Sequence, residues 1–200
     1  MAAGPQVAAL AVADAPERWS ALGFTVDDGC VALGGVRLEL GGAGSGITGW
    51  TLNGGGGPPT IDGLPTTWGA LTTAEVAGHP NSARGVDHVV IVTPHFDHTS
   101  ATLDAAGLTL RRARQAGERR QGFRRLGPTI MEIVEAPEAE EAAFWGLTIT
   151  VADLELVAAH AGGHLSPVRP AVQPGRQIAT LGRDAGLSTR LAFMDAEPGS

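Results

Sequence analysis

From Val86 to Val134 the chain spells out a strand, a helix and three more strands, and the same grammar restarts one module later. The first unit opens with the β-branched run VDHVVIVT, turns through Pro94, His95, Phe96 and Asp97, and continues as DHTSATLDAAG. That second piece reads as an amphipathic helix, capped by Thr99 or Asp97, with Leu103 and Ala106 facing inward and Gly107 as its stop. Three extended pieces follow: LTLRRARQ, RQGFRRL and PTIMEIVE. After the acidic link EAPEAEEA, FWGLTITVADLELVAAHAGG gives a strand, a turn through Asp153, a helix and a Gly162-Gly163 stop. HLSPVRPAVQP, GRQIATLGR and STRLAFMD supply the remaining strands. Each unit alone would leave an apolar face bare, so the two are expected to pair into one curved sheet.

The module order, with DHV heading the first strand and a carboxylate inside the last, resembles the vicinal-oxygen-chelate superfamily, the glyoxalase and bleomycin-resistance fold. The resemblance implies an α+β protein whose repeated βαβββ modules form a curved, cup-shaped mixed sheet with helices on the outside. In that family the first-strand His and fourth-strand Glu point into the cup and hold a divalent metal, and the matching residues here are His88 and Glu132. Imidazole and carboxylate suit Mn, Fe, Ni, Zn or Mg. Such a metal would act as a Lewis acid on two neighbouring substrate oxygens, as in a lyase, isomerase or dioxygenase, with Glu132 also catalytic. The second module's own pair falls at Gly146 and Ala192, which cannot ligate by side chain, so two protein ligands remain, too few for tight binding unless Glu39 or a loop His such as His79 is brought in. Two other readings stand beside this one: a metal-free protein that binds a drug or metabolite, and a structural or regulatory dimer whose cup is filled. In the bland reading of the residues, His88 is bonded to backbone and Glu132 is paired with an arginine.

The expected organisation is a degenerate βαβββ-like module over 1–53, a Gly/Pro-rich loop or linker over 54–85, and paired modules over 86–135 and 144–195 within 86–200. In the first of these, QVAALAVAD is a strand, APERWSALG a helix with Pro16 near its first turn, and GGVRLELGG a last strand placing Glu39 where Glu132 falls. Val7 or Ala8 stands where the metal-binding family places His. ITGWTLN is extended. The 54–85 stretch holds one faint helical phrase, and its Trp68 either closes over a pocket or anchors the loop to the core, the anchor being the simpler reading.

Arginines dominate the segment RRARQAGERRQGFRR. Along alternating strands about half would face one side, so some line the cup and hold a carboxylate or phosphate, while most face the acidic link from Glu135 to Glu141. Gln173 and Arg176 are expected to reach the same pocket, with Phe123 and Trp145 as its apolar wall. His95 and His98 at a helix entrance, and His160 and His164 around two glycines, do not form a ligand face.

Composition closes off several chemistries. All 14 basic residues are Arg and Tyr is absent, which excludes a Schiff-base lysine, a P-loop lysine and a tyrosine base. Gly44, Gly46 and Gly49 match G-x-G-x-x-G but run into WTLNGGGGPP, which no helix tolerates, so no dinucleotide site is expected. Ser45 lacks a nucleophile elbow. The net charge of −7 argues against nucleic acid, and the lone Cys30 rules out an internal disulfide. No run is long enough to span a bilayer, and MAAGPQVAAL lacks a signal peptide's basic start. A cytoplasmic protein with a small-molecule ligand is expected, its sheet closing within one chain or across a homodimer.

Overall fold

The computed structural model describes residues 4–69 and 78–196, which form two mixed sheets. The first sheet is built from β1 (Gln6–Val12), α1 (Pro16–Ala21), β2 (Cys30–Leu33), β3 (Val36–Glu39), β4 (Ile47–Asn53), β5 (Thr60–Ile61) and β6 (Leu64–Trp68). Its strand order is β2-β3-β1-β4-β6-β5. The second sheet begins with β7 (Ala83–Thr93), α2 (Phe96–Ala105), β8 (Arg112–Ala116), β9 (Arg119–Leu126) and β10 (Thr129–Glu135). It continues with β11 (Ala143–Val151), α3 (Leu154–His160), β12 (Arg169–Pro170), β13 (Gln177–Thr180) and β14 (Arg190–Asp195). Here the order is β12-β13-β14-β11-β7-β10-β9-β8.

The two βαβββ units of the second sheet meet within the chain, where β7 runs antiparallel to β11. Each first strand pairs in parallel with its unit's last strand, β7 with β10 and β11 with β14. Alternation then divides the sheet. Val89 and Ile91 of β7, Met131 and Ile133 of β10, and Ile149 of β11 are fully buried in one core, which Leu103 of α2 and Val157 of α3 join. The helices therefore cover the convex face and leave His88 and Glu132, of opposite parity, on the other. Gly107 follows the last turn of α2 at φ +77°, the left-handed stop its position calls for. Asp153 caps α3, its carboxylate accepting from Glu155 N–H at 2.8 Å.

Two expectations need correction. The residue capping α2 is His95, and neither Asp97 nor Thr99 fills that position. Thr99 lies one turn inside, where its hydroxyl is bonded to Asp62, Thr93 and the His95 carbonyl. The stretch 54–85, read as loop or linker, contains β5 and β6 and the start of β7. Leu64 and Thr66 are buried while Pro65 and Thr67 are exposed, an alternation that lets β6 pair in parallel with β4. The helical phrase of that stretch lies largely outside the described residues. Trp68 is an anchor: its indole donates to the Pro58 carbonyl at 3.0 Å, and its ring fills the space a side chain would need at Gly55 and Gly57.

The sheets share a single core. Trp50 of β4 meets Phe144 of β11 edge-on at 5.4 Å, and Phe24 stacks on Phe193 of β14 at 6.3 Å. Asp14 joins the two ends of the chain by accepting from Ser188 Oγ at 2.7 Å and Thr189 N–H at 2.9 Å. Among the described residues no helix is long and apolar enough to cross a membrane.

Candidate functional site

The concave face of the second sheet encloses an open cavity of 560 Å³, a volume in the range of small-molecule sites. Its floor is made by His88, Glu132, Thr148 and Met194, from the four central strands. Phe123 and Gln121 of β9 form one wall. Arg112 and Arg114 of β8 line one rim, and the arm from Arg169 to Pro174 lines the other. Since β8 and β12 are the opposite edges of an eight-stranded sheet, their meeting around one cavity means that the sheet curls on itself.

His88 pairs with Ile130, and Glu132 pairs with Val90, so the two side chains lie diagonally on adjacent strands. Burial pushes the Glu132 carboxyl up, and the facing charges of His88 and Arg114 only partly offset it. A bulge brings Asp87 into the same group: Thr148 is opposite His88 and Ile149 is opposite Val86, leaving Asp87 as the extra residue. Its Oδ1 lies 2.5 Å from His88 Nδ1, and its Oδ2 accepts from Arg176 Nη1 at 2.8 Å and Thr150 Oγ1 at 3.2 Å. Burial alone would raise the Asp87 carboxyl, but His88 and Arg176 together hold it at about 2.

Of the pocket residues expected from sequence, Phe123 and Gln173 line the cavity with His88 and Glu132. Trp145 and Arg176 do not. Trp145 falls in a bulge between Phe144 and Gly146, which turns its ring out to 46% exposure under the Arg190 guanidinium, 4.8 Å away. Arg176 is buried behind the floor, where it grips Asp87 and donates Nε to the Asp195 carbonyl at 2.7 Å. The residues facing His88 and Glu132 from the second unit are Thr148 and Met194, in place of Gly146 and Ala192. A side chain at Gly146 would meet the Arg190 carbonyl at 2.5 Å, so this glycine serves the close approach of β11 to β14.

The outlying candidates have structural tasks. His79 is buried beside Phe24, with Nδ1 accepting from Thr25 N–H at 3.0 Å and Nε2 at 2.8 Å from the Ala32 carbonyl. Glu39 is exposed at the end of β3 in the first sheet. His98 lies 3.3 Å from Asp62, and His164 3.0 Å from Asp184. The arginine segment divides, though not by strict alternation, since the neighbours Arg119 and Arg120 both turn to the acidic link. Arg119 pairs with Glu138 and Arg120 with Glu135, both in the acidic link, while Arg112 and Arg114 line the cup.

Among solved structures, a triply substituted 4-hydroxymandelate synthase from Streptomyces coelicolor superposes over 98% of this chain and 93% of its own, with a TM-score of 0.63 at 11% identity. The likeness is one of fold: the chain shares the architecture of that synthase. Methylmalonyl-CoA epimerase from Mycobacterium tuberculosis matches 58% of the chain and 91% of its own at 13% identity and a TM-score of 0.48. A hypothetical protein from Bacillus halodurans matches 57% and 96% at 16% identity and a TM-score of 0.46. No protein-family model and no curated protein matches the sequence.

A divalent metal, which the resemblance noted in the sequence implies, does not fit these side chains. His88 and Glu132 are the cavity's only hard or borderline anionic and imidazole donors, and among the described residues no group of three or more His, Cys, Asp or Glu could hold a metal. Met194 is a soft donor, and three guanidiniums on the rims oppose a dication. Sequence reading missed Asp87, Thr148 and Arg169 as members of the site. Asp87 was in view within DHV, but only the bulge gives it a role.

Proposed function

We propose that the cup binds a small, oxygen-rich organic anion and does so without a resident metal. The observation that carries this reading is the charge of the lining, in which Arg112, Arg114 and Arg169 face a single carboxylate, Glu132. Guanidinium is suited to carboxylate or phosphate because its planar fork can donate two parallel bonds. His88, steadied by Asp87, offers a further donor or acceptor at the floor. Phe123, Ile130 and Ile178 supply apolar walls for a short carbon skeleton. An open cavity counts against a cup filled by its own side chains, and the half-set of metal donors counts against lyase, isomerase or dioxygenase chemistry routed through a bound dication.

The test is calorimetric titration of the full chain with carboxylates and phosphate esters, with and without EDTA, beside elemental analysis of protein purified without chelator. Binding that persists in EDTA is expected. Near-stoichiometric metal that disappears in His88→Ala, with affinity collapsing under chelator, would overturn the metal-free reading.

A further inference from the structure

We infer that the ligand is a dianion whose two charged groups lie at opposite ends, spanned between Arg112 and Arg114 on β8 and Arg169 on β12. This rests on the anion-binding reading and narrows it to a class of ligand. The two strands are the outermost of their sheet, at opposite ends of its order, yet their arginines line one cavity. A ligand seated there meets cationic groups from both sides.

The contrast with neighbouring arginines is informative. At the outer end of the β8–β9 hairpin Arg119 pairs with Glu138, and Arg120 pairs with Asp97 and Glu135. Arg112, Arg114 and Arg169 make no ion pair among the described residues, although the whole chain carries a net charge of −7. Acidic side chains are plentiful, and the rims of the cup are where they are left out. The cavity's one carboxylate, Glu132, lies on the floor between the rims, so it repels negative charge from the middle and directs it to the two ends.

Both rims are stiffened before anything binds. Arg114 donates Nε to Gln121 at 2.8 Å, and its guanidinium lies 5.1 Å above the Phe123 ring, while its terminal nitrogens make no bond among the described residues. On the other side, the arm is closed by Ala171 N–H to the Arg176 carbonyl at 2.9 Å and Arg176 N–H to the Gln173 carbonyl at 3.3 Å. Arg176 then fastens the arm's base to Asp87. Holding groups in place beforehand lowers the ordering cost of binding.

The experiment titrates the full chain with propionate and butyrate, with succinate, glutarate and adipate, and with inorganic phosphate, repeated on Arg169→Ala, Arg114→Ala and Arg169→Lys. A dicarboxylate of fitting length is expected to bind about tenfold or more tightly than a monocarboxylate of similar length. Arg169→Ala should bring it down to the monocarboxylate level, with unchanged thermal unfolding, and Arg169→Lys should restore part of the difference. Equal affinities for mono- and dicarboxylates, or an Arg169→Ala variant without effect, would overturn the dianion while leaving the anion site standing. Binding of phosphate with no dicarboxylate preference counts against it in the same way. No binding by any of these anions would sink both readings.

Discussion

In the first sheet β1 pairs in parallel with β3 and antiparallel with β4, as β7 does with β10 and β11 in the second. β4 pairs in parallel with β6, as β11 does with β14. The first sheet is thus a shortened copy of the second, with six strands where the second has eight. The two it lacks among the described residues are the outermost, those that correspond to β8 and β12. Its central strand, QVAALAV, carries no ionisable side chain, and Val7, Leu10 and Val12 are buried. The difference separates two tasks. The shared pairing plan gives a packed sheet, and the added edge strands give a cup with cationic rims.

The largest effect is expected where the sheets depend on each other. Phe193→Ala removes the ring that stacks on Phe24, and should cost about 3–5 kcal/mol while urea unfolding stays a single transition. Two separated transitions would break the comparison by making the sheets independent. The next effect is expected under the floor. Because the folded Asp87 carboxyl is depressed to about 2, its stabilisation is present above the unfolded value of about 4 and is lost as pH falls from there toward 2. Asp87→Asn should lower the urea midpoint at pH 7 and flatten its fall between those values; a variant with the wild-type acid profile would assign that fall to other carboxylates.

A smaller change of the opposite sign is expected at Glu132. A carboxyl whose folded value is raised opposes folding once pH exceeds its unfolded value, so Glu132→Gln should leave stability at pH 7 unchanged or slightly higher. It should also raise affinity for anions, and calorimetry showing weaker binding would make Glu132 a ligand contact instead of a source of repulsion. Least of all is expected from Arg120→Ala, at the paired end of the β8–β9 hairpin, which should leave anion affinity as it is. A loss there equal to that of Arg114→Ala would erase the distinction between paired and rim arginines.

Much of the second sheet is legible in the sequence, because each strand's apolar alternation and the stops at Gly107 and Gly162 need no distant partner to be read. His88 and Glu132 are legible through the module's resemblance to a known family, and counting by twos along β9 and β10 keeps Phe123 opposite Glu132. The same counting fails at Trp145 and Asp87, since a bulge adds one residue and reverses the face that the next side chain takes. β5 and β6 are hidden for another reason. They are short, bounded by glycines and interrupted by Pro65, and only pairing with β4 and with each other makes them strands. Arg169 sits between prolines in a segment with no periodicity, and it joins the cup only through the curl of the sheet.

That curl leaves β8 and β12 each with an unpaired row of backbone donors and acceptors, the feature through which sheets of separate molecules add to one another. β8 bears Arg112 and Arg114, and β12 consists of Arg169 and Pro170, one charged and one unable to donate. Like charges on two approaching copies would repel, and a proline breaks the ladder that a second copy would need. The arginines at the mouth of the cup thus bear on association as well as on binding: neutral replacements at Arg112 and Arg114 would open the β8 margin to a second copy, whereas Pro170 would still guard β12.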